Sequence, residues 1–413
     1  MNDKVEAVGP LSPVPPPAGG GTDWAREWDP LAPGTFDDPA ATYAEMRARC
    51  PVAQSDRWGG FWALTRYDDV VAVAADYETF TTAVQNLVPR SPRSGVARRP
   101  LQVDPPEHAQ FRRAMNPYFE VDRVALLEPT LREVAARFLQ PLLDRGAGDL
   151  AEEWARHLPI RAVCALLRVP EGDAEWIQSR SRRYVASIAS DPETANRLSG
   201  ELDDYARRLV ATRRASPIDA HLDIVSGLLE QGIGGRPVGD EVVASFVRGL
   251  IVAADRSTTH GISNGALHLA RDPRLQEYLR QHPGRLPDAI EELVRLYAPS
   301  HATARTATRD VELGGCPIKQ GDPVALVWMA ANRDPEVFPD PDTFDMDRRP
   351  NRHVGFGHGI HKCGGQTVAR LQLRVALEVL LGSTSHFEVV GPVAYQTWPE
   401  YGPNQLPVRL VQR

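Results

Sequence analysis

The sequence contains few cysteines and almost no lysine. Only four of its 413 residues are cysteine, at positions 50, 164, 316 and 363, and their spacing matches neither a disulfide framework nor a paired zinc motif. Lysine occurs only at positions 4, 319 and 362, a bias that is typical of genome composition and carries little functional information. Cys164 lies in the apolar helical pattern IRAVCALLRVP, which indicates a thiol packed in the core.

Long apolar runs are also missing. No stretch approaches the roughly 20 apolar residues that span a bilayer, and the N-terminus lacks the basic segment and apolar run of a secretory signal. We therefore expect a soluble, cytoplasmic protein. The formal net charge of −7 gives no support for nucleic-acid binding.

What is present is an ordinary globular composition, with 42% hydrophobic and 24% charged residues. Residues 1–22 include PLSPVPPPAGGG, in which proline and glycine dominate and little can be buried, so we expect a disordered tail. After residue 22 no linker is long or polar enough to mark a boundary. The sequence therefore predicts a single domain over residues 23–413.

Helical patterns dominate the middle of the chain. Most of 105–295 reads as helix, and Val238 to Pro273 gives about 30 residues of helical pattern, a length of roughly 45 Å that must cross the core. Short β-type runs surround this block, at 59–67, at 305–327 and in the C-terminal FEVV and LPVRLV, which favour a late hairpin. The fold class predicted is mainly α with a minor β part.

The stretch FGHGIHKCGG, from Phe356 to Gly365, fixes Cys363 between glycines and ahead of a helical pattern over 368–381. Unpaired N–H groups at the start of a helix can hydrogen-bond a thiolate, and the glycines let a flat ligand lie close. This arrangement suits a sulfur bound to iron from one side. The alternatives are a buried structural cysteine and a transition-metal site built from Cys363 with nearby histidines, namely His353, His358 and His361.

The spacing F-x-x-G-x-x-x-C-x-G resembles the haem-thiolate loop of the cytochrome P-450 superfamily, here Phe356, Gly359, Cys363 and Gly365. The resemblance spans about residues 40–400. It implies a triangular prism with a long central helix over the cofactor, haem b, whose iron is bound by Cys363.

Basic residues that resemble the family's haem-propionate contacts come from three segments. His108 and Arg112 lie in DPPEHAQFRRAMNPYF, Arg305 lies in ARTATRD, and His361 stands two residues before the cysteine. Propionates are carboxylates, to which an arginine offers a planar fork of donors. For His108 and Arg112 the alternative is an exposed basic helix face, and for His361 a solvent-facing loop histidine.

EELVRL contains Glu292 and Arg295, which resemble the family's E-x-x-R helix motif. In the family this pair is a buried structural lock with a downstream arginine, here Arg348 or Arg349. We assign it to folding and haem retention, without a catalytic role.

The long helix departs from the family pattern. The family's acid and alcohol manage the protons that cleave dioxygen, but in an ungapped reading Arg256 takes the acid's place and Ser257 the alcohol's. Three interpretations stay open. Arg256 points into a salt bridge while Asp255 or water relays protons; Arg256 holds a substrate carboxylate; or a one-residue bulge makes Thr258 the alcohol.

The segments that resemble the family's substrate contacts are less informative. Residues 84–101 carry Arg90, Arg93, Arg98 and Arg99, which indicate either a solvated mobile loop or attraction of an acidic substrate. Residues 300–303 and 395–405 mix aromatic and polar side chains, which fits a substrate with both ring-like and hydrogen-bonding parts.

The resemblance implies a monooxygenase that inserts one oxygen atom from O2 into a small organic substrate. Electrons would come from a ferredoxin and ferredoxin reductase with NAD(P)H, docking on a face that carries Lys362 and Arg112, and we expect a monomer without membrane or nucleic-acid partners. One alternative is a haem-thiolate enzyme that uses hydrogen peroxide or catalyses ring coupling. A second alternative is a non-catalytic haem-binding protein.

Overall fold

A computed structural model describes residues 28–32, 34–91 and 97–413, so the predicted tail over 1–22 lies outside the described residues. Helices dominate the described chain. They are α1 (Pro39–Arg49), α2 (Tyr67–Ala75), α3 (Glu107–Met115), α4 (Val121–Ala125), α5 (Glu128–Arg145), α6 (His157–Leu166), α7 (Ala174–Ser187), α8 (Pro192–Ala215), α9 (Ile224–Gln231), α10 (Asp240–Arg271), α11 (Pro273–Gln281), α12 (Leu286–Tyr297), α13 (Trp328–Ala331) and α14 (Gln366–Ser383).

The strands are short. They are β1 (Val52–Ser55), β2 (Phe61–Leu64), β3 (Phe80–Thr81), β4 (Ala147–Asp149), β5 (Ala302–Ala307), β6 (Val311–Leu313), β7 (Cys316–Ile318), β8 (Pro323–Val327), β9 (Thr384–Val389), β10 (Ala394–Gln396), β11 (Gly402–Gln405) and β12 (Pro407–Gln412). They form a five-stranded sheet in the order β1-β2-β8-β5-β3, a three-stranded sheet β4-β12-β9 and the pairs β6-β7 and β10-β11. The predicted fold class, mainly α with a minor β part, is confirmed.

The central helix α10 is the longest element, with 32 residues, as its helical pattern predicts. Asp240 and Glu241 lie in its first turn and Arg271 in its last turn, which suits the helix dipole at both ends. Asp272 then caps α11 by accepting from the N–H of Leu275 at 3.0 Å, and Pro273 occupies its first position. Most side chains of α10 are buried, so the helix crosses the α-helical core.

The predicted pairing of the two C-terminal runs is confirmed, although the segment that connects them is long. β9 and β12 do pair antiparallel, as their alternating residues suggest, but residues 390–406 between them do not form a tight turn. This segment instead carries β10 and β11 and folds against α10, where Asn264 donates to the carbonyl of Tyr401 at 3.0 Å. An added Cβ at Gly402 would lie 2.6 Å from the Cβ of His260, so the contact requires glycine. The C-terminal segment therefore becomes part of the site along α10.

Within the described ranges, no helix is long and apolar enough to cross a membrane. Cys164 is buried in the helical core, as predicted, and burial raises the pKa of its thiol to about 12.

Candidate active site

The loop that carries Cys363 is shaped by glycines. Gly357 has a φ of +77° and Gly359 a φ of +70°, and a Cβ at Gly359 would lie 2.3 Å from the carbonyl oxygen of Ala74. The N–H of Cys363 donates to the carbonyl of Phe356 at 2.8 Å, which closes the loop. Helix α14 begins three residues later, so the sulfur sits beside its N-terminal end, as the sequence predicts.

Cys363 has a solvent-accessible side chain although it is surrounded by protein. Burial raises the pKa of its thiol, while the N–H of Gly365 and the charge of Arg112 act in the opposite direction. A metal cation at the sulfur would add to these two effects and favour the thiolate. The accessible sulfur and the glycine-lined approach therefore fit an iron ligand better than a packed structural cysteine.

Helix α10 has one accessible stretch in its buried interior. Ala253 is exposed and Ser257 is half-buried, whereas Ile251 and Asp255 are fully buried. Ala253 and Ser257 are four residues apart and hence share one face of the helix. An exposed alanine in the middle of a core-crossing helix shows that this face borders open space, which suits a large ligand.

The four basic residues predicted to hold propionates lie in one region. The ring centroids of His108 and His361 are 4.4 Å apart. His361 Nε2 lies 3.0 Å from the hydroxyl of Thr82 and 3.4 Å from Asp104 Oδ1. Arg305 is buried beside Asp104, and an atom added at Gly364 would lie 2.3 Å from Arg112 Nη1.

The electrostatics of this cluster fit an anionic ligand. Burial lowers the pKa of His108 to about 4, with His361 and Arg112 adding to the effect. Burial also lowers the pKa of Arg305 to about 10, and it lowers the pKa of Arg112 and His361. A buried cation requires a compensating negative charge, and Asp104 is the acidic neighbour that raises the pKa of Arg305. Two haem propionates would supply the negative charge that this cluster lacks, so its hydrogen-bond donors fit a haem.

Glu292 and Arg295 form a buried lock, both with fully buried side chains. Arg295 donates to both carboxylate oxygens of Glu292 at 2.7 and 2.8 Å. Its Nη1 donates to the carbonyls of Asn332 and Pro341, and its Nη2 donates also to the carbonyl of Thr343. The downstream arginine is Arg348, whose Nε lies 3.2 Å from Glu292 Oε1, whereas Arg349 is exposed and pairs with Asp288.

On the side of α10 that packs against α7, Asp255 is fully buried. Gln178 Nε2 donates to Asp255 Oδ1 at 3.3 Å, and Arg182 Nε lies 3.8 Å from Asp255 Oδ2. Oδ2 has no hydrogen-bond partner in the structure. Burial raises the pKa of Asp255, and Arg182 counters only part of that effect. This carboxyl group is therefore able to carry a proton inside the protein.

Arg256 is engaged by the C-terminal segment. Its Nε lies 2.9 Å from Glu400 Oε2, and its Nη2 donates to Gln396 Oε1 at 2.7 Å. This matches the salt-bridge interpretation of Arg256. Ser257, the next residue, donates its hydroxyl to the carbonyl of Ala253 at 3.2 Å.

The bulge interpretation has no counterpart in this geometry. α10 is an uninterrupted α-helix from Asp240 to Arg271, and no π-turn or non-helical residue interrupts it. Thr258 is buried with 7% exposure, while Ser257 lies on the accessible face with Ala253. The ungapped reading therefore agrees with the backbone.

The histidines of the rival metal site are held apart by other partners. His353 Nε2 lies 3.0 Å from Glu291, and His361 interacts with Asp104. Over residues 28–32, 34–91 and 97–413, no three His, Cys, Asp or Glu side chains form a group that could hold a metal ion.

The basic loop before Asp104 is only partly the solvated segment that its composition suggests. Arg93 lies outside the described residues and Arg90 is exposed. Arg98 donates to the hydroxyl of Tyr184 at 3.1 Å, and Arg99 pairs with Glu107 at 2.5 Å. A mobile, solvated loop is therefore wrong for Arg98 and Arg99, because partners on α7 and α3 hold them.

Several residues of the site carry no signal in the sequence. Glu400 and Gln396 lie more than 130 positions from Arg256, and nothing in WPEYGP marks an ion-pair partner. Gln178 and Arg182 belong to an ordinary amphipathic helix. Asp104, in contrast, has a signal in the sequence, because it begins the DPPEH segment that also contains His108.

The chain is similar to known proteins over most of its length. The family described as cytochrome P-450 matches residues 285–399. Mycinamicin IV hydroxylase/epoxidase of Micromonospora griseorubida is 35% identical over 383 residues, covering 89% of this chain and 95% of that protein. Steroid C26-monooxygenase of Mycolicibacterium smegmatis is 32% identical, covering 86% of each chain.

Solved structures resemble the whole fold. Cytochrome P-450 CYP109Q5 from Chondromyces apiculatus superposes with a TM-score of 0.83 at 29% identity, covering 94% of this chain and 98% of that chain. A mutant of the P-450 EryK in complex with erythromycin B gives a TM-score of 0.81 at 31% identity, covering 92% and 98%.

Proposed function

This chain belongs to the cytochrome P-450 family and is an oxygen-incorporating oxidoreductase, and we propose that it oxidises a secondary metabolite with electrons from a separate ferredoxin. The observation that carries the proposal is the accessible sulfur of Cys363, held in a glycine loop at the start of α14. Such a sulfur is suited to binding an iron from one side.

The cofactor we propose is haem b, with Cys363 as its iron ligand. Bound haem supplies the activation of O2 that protein side chains cannot perform alone. His108, Arg112, Arg305 and His361 would hold its propionates, because they form a buried basic cluster with lowered pKa values. Phe356 and Gly365 shape the loop, and the N–H of Gly365 would stabilise the thiolate.

On the oxygen side, we assign the hydrogen-bond donor to the hydroxyl of Ser257, which would turn away from the carbonyl of Ala253 to donate there. It lies on the accessible face of α10 beside Ala253. Asp255 is the group that would hold a proton, at its unpartnered Oδ2, because burial raises its pKa. Arg256 stays charged and paired with Glu400, so we give it no proton to move. Thr258 is buried and would play a packing role.

The redox partner would dock near the cysteine loop. Lys362 is exposed there and Arg112 is half-buried, which provides positive charge for an acidic ferredoxin. For the substrate, we propose a macrolide-like or steroid-like compound. Two relatives carry names that refer to mycinamicin IV and to steroids, and the rings of Tyr395 and Tyr401 stack in the C-terminal segment with centroids 5.4 Å apart.

The test of this function compares two oxidants with the haem-loaded enzyme. Candidate macrolides and steroids are first screened by shifts of the haem Soret band. Turnover of a hit is then measured with ferredoxin, ferredoxin reductase, NAD(P)H and O2, and separately with hydrogen peroxide alone. Product that forms only with the ferredoxin system supports the proposal. Product with peroxide alone would assign the chain to the peroxide-using enzymes.

The ligand assignment has its own test. Cys363→Ala should abolish the reduced carbon monoxide band typical of a haem-thiolate protein, because no sulfur would then bind the iron. Cys316→Ala is the matched control, since Cys316 belongs to the β6-β7 pair. If the band survives in Cys363→Ala, Cys363 is not the ligand.

A further inference from the structure

A second cavity lies beside α10, lined by residues of α7, α10 and β11. Its volume is about 250 Å³, room for roughly eight water molecules at their liquid volume. We name it the arginine cleft. Its lining residues are Ala151, Arg182, Arg183, Ala186, Arg256, Thr259, His260, Pro403 and Asn404.

The lining of the arginine cleft is strongly basic. Three guanidinium groups, from Arg182, Arg183 and Arg256, border it, and none of the lining residues is acidic. Each guanidinium carries a full positive charge and five N–H donors in a planar fork. Thr259 and Asn404 add a hydroxyl and an amide. The cleft therefore presents many donors and few acceptors.

The nearby carboxylates compensate this charge only in part. Glu400 pairs with Arg256 at 2.9 Å. Arg182 lies 3.8 Å from Asp255 and 3.5 Å from Glu152, distances too long for good hydrogen bonds. No carboxylate of the described ranges lies within 4 Å of the guanidinium of Arg183. Two of the three arginines thus keep donor capacity for a further anion.

The buried end of the cleft also holds an unpartnered polar atom. His260 is only 3% exposed, and its Nδ1 has no hydrogen-bond partner in the structure. Its Nε2 lies 3.4 Å from Asn404 Oδ1, a long contact. Because Nε2 faces the amide oxygen of Asn404, the neutral ring carries its proton on Nε2 and leaves Nδ1 as an acceptor. Leaving that buried acceptor unpaired is costly, and the hydroxyl of a monohydrogen phosphate in the cleft would relieve the cost, whereas a carboxylate oxygen would not.

From this arrangement we propose that the arginine cleft binds an oxyanion, a carboxylate or phosphate group, between α7 and α10. Guanidinium forks match the paired oxygens of such groups, and Arg183 at the exposed rim would meet the anion first. The proposal does not depend on the redox partner. The anion comes either from solution or from an acidic tail of the enzyme's own substrate, and experiment can separate these sources.

The first arm uses inorganic phosphate with the haem-loaded protein at constant ionic strength, adjusted with sodium chloride. The thermal midpoint should rise with the logarithm of the phosphate concentration above the dissociation constant, by about 3 °C at one hundred times that constant. Arg183→Gln should remove most of this rise. Arg180→Gln is the control, because it deletes the same charge from the same helix at a residue that pairs with Glu201 outside the cleft.

The second arm tests the substrate source with decanoate and its methyl ester, each titrated against the Soret band. If an acidic tail occupies the cleft, Arg183→Gln should weaken decanoate binding about tenfold, because one hydrogen bond to a charged group is lost. Binding of the methyl ester should not change. Arg180→Gln should leave both unchanged. A response in either arm supports the oxyanion site and identifies its source.

The proposal fails if wild-type protein responds in neither arm. It also fails if Arg183→Gln and Arg180→Gln behave alike, since the effect would then reflect net charge rather than the cleft. These outcomes leave the monooxygenase proposal untouched, because that proposal rests on the oxidant comparison.

Discussion

At the scale of single residues, the pairing of Arg256 with Glu400 decides what an arginine at this place can do. The pair joins the central helix, one residue before Ser257, to the C-terminal segment beside the site. Gln396 from the same segment adds a hydrogen bond at 2.7 Å. Arg256 therefore acts as a positioning residue that fastens this segment.

Arg256→Asp should loosen residues 394–405, because two carboxylates would then face each other at the position of the present ion pair. Amide hydrogen exchange in this segment should become about tenfold faster, which corresponds to roughly 1.4 kcal/mol of lost local stability. The fraction of NAD(P)H that yields product should fall as well. Hydrogen exchange followed by mass spectrometry measures the first effect.

The matched variant for this pair reverses the charges. Arg256→Asp combined with Glu400→Arg should restore slow exchange in residues 394–405, since the ion pair is rebuilt with opposite sign. If the double variant exchanges as fast as Arg256→Asp alone, the pair does not fasten the segment.

At the scale of elements, Glu292 connects α12 to the segment that precedes the cysteine loop. Besides Arg295 and Arg348, it accepts from the N–H of Asp345 at 3.0 Å and from Asn351 at 3.1 Å. Arg348 also donates to the carbonyl of Pro339 at 2.7 Å. A single carboxylate thus fixes the path of residues 339–351, from which the loop of Cys363 continues.

Two adjacent arginines test this lock. Arg348→Ala should destabilise the protein by about 3 kcal/mol, because it removes a buried partner of Glu292 and donors to backbone carbonyls. Arg349→Ala should lower the free energy of unfolding by less than about 1 kcal/mol, since Arg349 pairs with Asp288 at the surface. Thermal unfolding of both variants measures the two losses of stability. Equal losses would show that Arg348 is not the buried member of the lock.

At the scale of the whole molecule, several histidines are buried in the neutral form. Burial lowers the pKa of His157 and His301 to about 3 and that of His268 to about 4. In the unfolded chain the same groups titrate near pH 6.5. Below that pH the unfolded state binds protons that the native state does not, so acid favours unfolding.

Stability should therefore fall as the pH drops from about 6.5 toward 4, by about 1.4 kcal/mol per pH unit for each such histidine. His157→Phe should reduce this dependence, because the ring stacks on Phe138 at 3.9 Å and phenylalanine can keep that contact. His386→Gln, at a half-exposed side chain, is the control. Thermal midpoints at pH 7 and pH 5 provide the measurement. An unchanged pH dependence in His157→Phe would contradict the neutral assignment.

Local spacing made much of this protein predictable. The helix α10, the loop of Phe356 to Gly365 and the pair Glu292–Arg295 each depend on residues within a few turns of one another, so their patterns are visible in the sequence. The pairing of the two C-terminal runs was predicted correctly, but alternation identifies strands and does not show what the segment between them packs against.

The sequence by itself determined the family, the mainly helical fold and the position of Cys363, because these follow from short-range periodicity and motif spacing. Only the tertiary structure decided the partners of the unusual residues on α10. Asp255 meets Arg182 from α7, Arg256 meets Glu400 from the C-terminal segment, and Glu292 takes Arg348 rather than Arg349. Such pairs form when distant segments pack together and share buried charge, and no local pattern encodes that choice.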